Sequence, residues 1–108
     1  MAISPQDYNM ITTNLGRWGL EWQQYMIEFH KDEADVMDIL GTWEKVAHKV
    51  DKEAEQREEE MENLYEKNNP RPMTSNTLEL MQWHKAKQLF VEKIVREQVI
   101  YINRWLED

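Results

Sequence analysis

Apolar side chains recur at every third or fourth position from Tyr8 to Val50: Tyr8, Ile11, Leu15, Trp18, Trp22, Tyr25, Phe29, Val36, Ile39, Trp43, Val46 and Val50. Asp32 alone breaks the frame. An alternation of this length marks α-helices that bury one stripe against partner helices. With Tyr8 at heptad position a, the e positions are Thr12, Gly19, Met26, Glu33, Leu40, Ala47 and Ala54, mostly apolar or small. A two-stranded coiled coil carries charges at e, whereas an a/d/e stripe fits a helix facing two neighbours. The pattern therefore predicts an all-α fold, a three-helix antiparallel bundle forming one domain over 1–108.

Three helices are expected, over about 5–30, 33–67 and 77–106. Ser4 caps the first, Pro5 suits its first position and Asp7 favours its positive end. Gly16 and Gly19 lie inside it, and Gly19 at e permits close helix approach, with a kink as the competing reading. Lys31-Asp32-Glu33 marks a turn, with Asp32 capping the second helix; a continuous helix through this point is the alternative. Asn68-Asn69-Pro70-Arg71-Pro72 ends the second helix, because each proline pushes its predecessor out of helical geometry. Asn76 and Glu79 read as a capping box for the third.

Folding the last two helices about the 68–75 loop pairs Leu64 with Leu80, Met61 with Trp83, Val50 with Ile94, Trp43 with Tyr101 and Ile39 with Trp105. The same reasoning at the Asp32 turn exhausts the first helix near residue 54. The second and third helices then project as a bare hairpin. Its apolar residues Met61, Leu64, Tyr65, Leu78, Leu80, Met81 and Trp83 exceed what two helices cover, and apolar surface at that scale marks a partner site.

Charge changes the picture in one respect. The net charge of −8 comes from 21 acidic and 13 basic residues, and the acids crowd the first two-thirds of the chain. Direct nucleic-acid binding needs a basic surface and is disfavoured. The run over 51–62 includes Glu55, Glu58, Glu59, Glu60 and Glu62. It offers an acidic patch that mimics a phosphate backbone, although solvation and pairing of Lys85 and Lys87 with 57–59, and of Lys93 with Asp51, explain much of it. The chain has no Cys, which excludes thiolate chemistry and suits a reducing, cytoplasmic compartment. No run approaches the ~20 apolar residues of a membrane span.

Catalytic and metal motifs are missing. His30, His48 and His84 have no Glu-x-x-His spacing. Glu55-x-x-Glu58 and Glu59-x-x-Glu62 supply half of a magnesium-binding pair of helical motifs, but no Glu-x-x-Asp follows downstream. No Gly-rich phosphate loop occurs. No catalytic residue, metal or cofactor is expected. The expected function is a non-enzymatic interaction module: an adaptor, assembly factor or inhibitor. It docks its hairpin tip on a protein partner, its own copy included, as a homo-oligomer. The alternative is a nucleic-acid mimic acting through 51–62.

Overall fold

A computed structural model of the protein describes residues 4–102. All regular structure among the described residues is helical. There are four α-helices: α1 (Arg17–Phe29), α2 (Lys31–Leu40), α3 (Trp43–Asn68) and α4 (Thr77–Val95). A short 3-10 helix, Asp7–Met10, precedes them, and a π-helical turn, Arg96–Ile100, continues α4. The expected three helices are thus corrected to four among the described residues: a break after Leu40 divides the expected second helix, and a break within 11–16 shortens the first and leaves a 3-10 turn before it.

The first break lies within 11–16. Ser4 does not cap α1, which starts only at Arg17; its carbonyl accepts from the Asp7 N–H of the 3-10 helix at 3.0 Å, and its hydroxyl donates to the Asp7 carboxylate at 2.8 Å. The 3-10 helix stops at Met10. β-Branched Thr12 and Thr13 lose side-chain freedom in a helix, and Asn14 takes a left-handed φ of 68°. The resulting strap is fastened by polar bonds. Gln23 is wholly buried; its carbonyl oxygen accepts from the Thr12 N–H at 2.8 Å and its amide donates to the Thr12 hydroxyl at 2.7 Å. The Trp43 indole donates to the Met10 carbonyl at 2.6 Å.

The turn expected at Asp32 falls at His30, whose φ of −139° and ψ of 49° separate α1 from α2. Asp32 and Glu33 sit in the first turn of α2, where they complement the helix dipole instead of capping it. The second unforeseen break is Gly41. Its N–H bonds to the Asp38 carbonyl (3.2 Å) and the Thr42 N–H to the Met37 carbonyl (2.9 Å). With Gly41 at φ 77°, this is a Schellman ending, which needs a residue that tolerates the left-handed region.

These joints dissolve the continuous stripe. Trp18, Trp22, Trp43, Val46 and Val50 are buried as the pattern requires. Tyr8, Phe29, Val36 and Ile39 are exposed instead, and Met26, Ile27, Ala34 and Met37 take their places in the core. The break at His30 restarts the helical phase for α2, so the frame carried across it names the wrong face for Val36 and Ile39; α3 falls back into frame at Trp43, and Phe29 is exposed as the last residue of α1.

Trp22 and Trp43 pack at 5.2 Å between ring centroids, joining α1 to α3. Asp51 of α3 reaches the first turn of α1, accepting from the Gly16 N–H at 3.1 Å and the Gly19 N–H at 2.8 Å. A Cβ at Gly19 would lie 2.9 Å from the Asp51 Cβ, so the missing side chain serves close approach and not a kink. Asp51 does not pair with Lys93 as the expected register placed it. The buried positions of α3 end at Ala54, and those of α4 begin at Val91.

Val99 and Ile100 of the π turn are both buried. Tyr101 then stacks on Tyr25 at 4.9 Å. The expected third helix over 77–106 ends as an α-helix at Val95; Trp105 and the rest of 103–106 lie outside the described residues. Asn76 caps α4 as expected, accepting from the Leu78 and Glu79 N–H groups at 2.9 and 3.4 Å, but the reciprocal half of the capping box is replaced: the Asn76 N–H donates to the Thr74 hydroxyl at 3.0 Å instead of to Glu79. Among the described residues, no helix is long and apolar enough to cross a membrane.

Candidate interaction surface

The seven tip residues divide into two groups. Leu64, Leu78 and Met81 are exposed, at 41%, 61% and 62%. Met61, Tyr65, Leu80 and Trp83 are half-buried, and Met61 packs against the core cluster. Trp83 is held on several sides: its indole donates to the Asn69 carbonyl at 2.8 Å, Tyr65 lies 6.2 Å away, and Lys87 places its ammonium 5.1 Å from the ring. Tyr65 also packs on Phe90 at 5.3 Å. An aromatic ladder, Trp83–Tyr65–Phe90, therefore ties α4 to α3. Phe90 was not among the sequence candidates, although it lies seven residues beyond Trp83, a spacing that returns to the same helix face.

The register between α3 and α4 differs from expectation. Glu66, expected opposite Leu78, accepts from Lys87 at 3.0 Å. Arg57, expected opposite Lys87, bonds Gln98. The expected pairs Leu64–Leu80 and Met61–Trp83 are displaced in the same sense. The cause is the irregular 69–76 segment, in which Pro70 and Pro72 forbid helix and force an extended path. That segment takes up length that a tight turn would not, and α4 slides relative to α3. Leu78 and Met81 precede Trp83, the α4 residue that packs on Tyr65, and both are exposed.

The acidic patch is partly accounted for within the molecule. Glu55, Glu59 and Glu60 are exposed, whereas Glu58 and Glu62 are half-buried. Arg57 lies 3.5 Å from Glu60. Glu58 and Glu62 face Arg17, Lys87, Gln88 and Glu92 across a small depression of about 160 Å³. Lys87 does not reach 57–59, because it is engaged by Glu66.

The strongest electrostatic cluster lies elsewhere, where α1 meets the end of α4. Arg96 grips the Glu21 carboxylate with two bonds, at 2.8 and 3.1 Å, and reaches Glu92 at 3.3 Å. Arg17 donates to Glu92 at 2.6 Å. The Glu21 hydrogen bond leads in raising the Arg96 pKa above its ordinary value, despite partial desolvation. Burial pushes the Glu92 carboxyl up, but hydrogen bonds from Arg17 and Gln88, with the charges of Arg17 and Arg96, more than offset it; its pKa lies below the ordinary value. Both guanidinium groups lie over the Trp18 ring, at 4.4 Å for Arg17 and 5.5 Å for Arg96. Every charge here has a partner, which makes the cluster a clasp between helices.

The histidines stay apart. His30 bonds the Tyr25 hydroxyl at 3.0 Å, His48 is exposed on α3, and His84 lies edge-on to Trp83 at 4.9 Å. Among the described residues, no group of three or more His, Asp or Glu side chains is placed to hold a metal ion. The chain matches no family model, no curated protein and no solved structure.

Proposed function

We propose that this protein is a small, non-enzymatic interaction module whose α3–α4 tip docks on a protein partner, its own copy being the first candidate. In this reading α3 and α4 run antiparallel and project beyond α1 as an arm. The order of partners favours that arrangement: Asn69 with Trp83, Glu66 with Lys87 and Arg57 with Gln98 descend on α3 as they ascend on α4. The single observation that carries the proposal is the exposure of Leu64, Leu78 and Met81 on helices whose fully buried positions stop at Ala54 and begin only at Val91. Half-buried Trp83 and Tyr65 supply the rigid aromatic floor that hot spots favour.

The test is mass by light scattering across a concentration series, for the wild type and for Leu78→Glu and Met81→Glu. Both positions are exposed, so the variants fold. Self-association that both charges abolish supports the reading. Unchanged mass, together with unchanged recovery of any bound protein, would remove the tip from consideration. The acidic-mimic reading through Glu55, Glu58, Glu59, Glu60 and Glu62 is the second choice, because Arg57 and the Arg17–Lys87 depression draw on part of that charge.

A further inference from the structure

The apolar residues least covered by the fold, among those in regular helix, are not all at the tip. On α2, Ile39 is 83% exposed, Leu40 69% and Val36 46%. At 100° per residue these three share one face, opposite the buried Ala34 and Met37. The helix is fixed in place before anything binds. Ala34 and Met37 anchor it to the core, Lys31 ties its start to Asp7 (3.6 Å) and Asp35 (2.6 Å), and the Schellman ending at Gly41 sets its end. A preformed helix face reduces the ordering cost of binding.

Charge selects the occupant. Within ten residues α2 carries Asp32, Glu33, Asp35 and Asp38 against Lys31 alone. Lys31 is already engaged by Asp7 and Asp35, and the hydrogen bond it donates to Asp35 leads in raising its pKa above the ordinary value. Asp32, Glu33 and Asp38 have no ion-pair partner among the described residues. A second copy would bring the same acids face to face, and an anionic lipid surface or a nucleic acid would be repelled likewise. An apolar stripe with an acidic rim complements a helix that is leucine-like on one side and lysine- or arginine-rich on its edges.

We propose that the Val36–Ile39–Leu40 face of α2 is a second docking surface, which takes a basic amphipathic helix from another protein. α3 begins at Trp43, beside α2, and ends at Asn68, beside the tip. At ~1.5 Å per residue those ends lie roughly 38 Å apart. The two surfaces can therefore be occupied at once, and the α2 surface does not depend on the tip.

The test uses a fluorescently labelled peptide of leucine and lysine patterned as an amphipathic helix, followed by anisotropy on the whole protein. A leucine–glutamate peptide of the same pattern is the control. The basic peptide should bind saturably and more weakly as salt rises. The double variant Ile39→Ser, Leu40→Ser should weaken it about tenfold or more, whereas Leu78→Ser should leave it unchanged. Asp32→Asn with Glu33→Gln, the two acids that flank the face, should weaken it and flatten the salt dependence. Thermal unfolding of each variant shows that it is folded. Undiminished binding to the Ile39/Leu40 variant would place the peptide elsewhere on the acidic surface and overturn the proposal. Equal binding of the glutamate peptide would overturn the charge argument. A wild-type dimer that becomes monomeric only in the Ile39/Leu40 variant would give this face to a second copy, and adsorption of the protein to neutral vesicles through it would give it to lipid. Either result overturns the proposal without touching the tip.

Discussion

The Asp51 side chain occupies the space that a Cβ at Gly19 would need, and its carboxylate accepts from the Gly16 and Gly19 N–H groups at 3.1 and 2.8 Å. A residue 32 positions downstream thus performs the capping that α1 lacks locally, since Gly16 has no side chain to offer. The carboxylate also faces the positive end of the helix dipole. Local folding of α1 and its docking on α3 become one event.

Asp51→Ala should cost about 1–2 kcal/mol, the range for losing an N-terminal cap. Gly19→Ala makes the sharper comparison. Helix propensity alone predicts a gain of up to ~1 kcal/mol for this change. The 2.9 Å approach of Asp51 predicts a loss instead, because the added methyl meets the Asp51 Cβ and the Leu15 side chain. Urea unfolding of both single variants and the double variant decides: a stabilised Gly19→Ala protein would contradict the close contact.

Gln23→Leu should destabilise by about 1–3 kcal/mol, since it leaves the buried Thr12 N–H without its acceptor. Combining it with Thr12→Val should cost less than the sum of the two single changes. The valine discards the hydroxyl that the glutamine amide served, although the backbone N–H stays unpaired. Additive losses in a double-mutant cycle would mean that the two side chains are not coupled.

The depressed Glu92 pKa sets a pH dependence of stability. Its ionised form is favoured in the folded state by Arg17 and Gln88 and by the charge of Arg96. The contribution is fully present above the carboxyl's unfolded pKa and is lost as pH falls through the lower folded value. Glu92→Gln should therefore be less stable than the wild type at neutral pH, and the difference should shrink below about pH 4. Thermal melts between neutral and acid pH measure this; a constant difference would show that Glu92 acts through packing and not through charge.

The helical class was legible because the tryptophans at 18, 22 and 43 and the valines at 46 and 50 keep a helical spacing that only a shared core explains. So was the Asn76 cap, whose side chain does what its type and position imply. The breaks were harder to read. Thr12-Thr13-Asn14 reads as the solvent-facing side of a helix until Gln23 is known to bond Thr12, and that contact is tertiary. Gly41 carries a stronger signal, a lone glycine after an apolar pair, yet the heptad frame runs across it undisturbed. The tip residues were legible as apolar excess, but their register was not. The proline segment sets that register through its length in space, which residue counting does not supply. The α2 face was hidden for the same reason as the breaks: Val36 and Ile39 look like core until the phase is restarted at His30.

The Trp22–Trp43 contact has an optical consequence. Two indoles at 5.2 Å and 35°, one from each of the first and third helices, couple strongly enough to shape the near-ultraviolet circular dichroism of the folded chain. Both Trp22 and Trp43 are buried, a setting that favours short-wavelength emission. Helix content can survive when fixed side-chain packing is lost. The protein therefore carries its own unlabelled reporter of whether the two helices are seated, separate from any measure of whether they are helical.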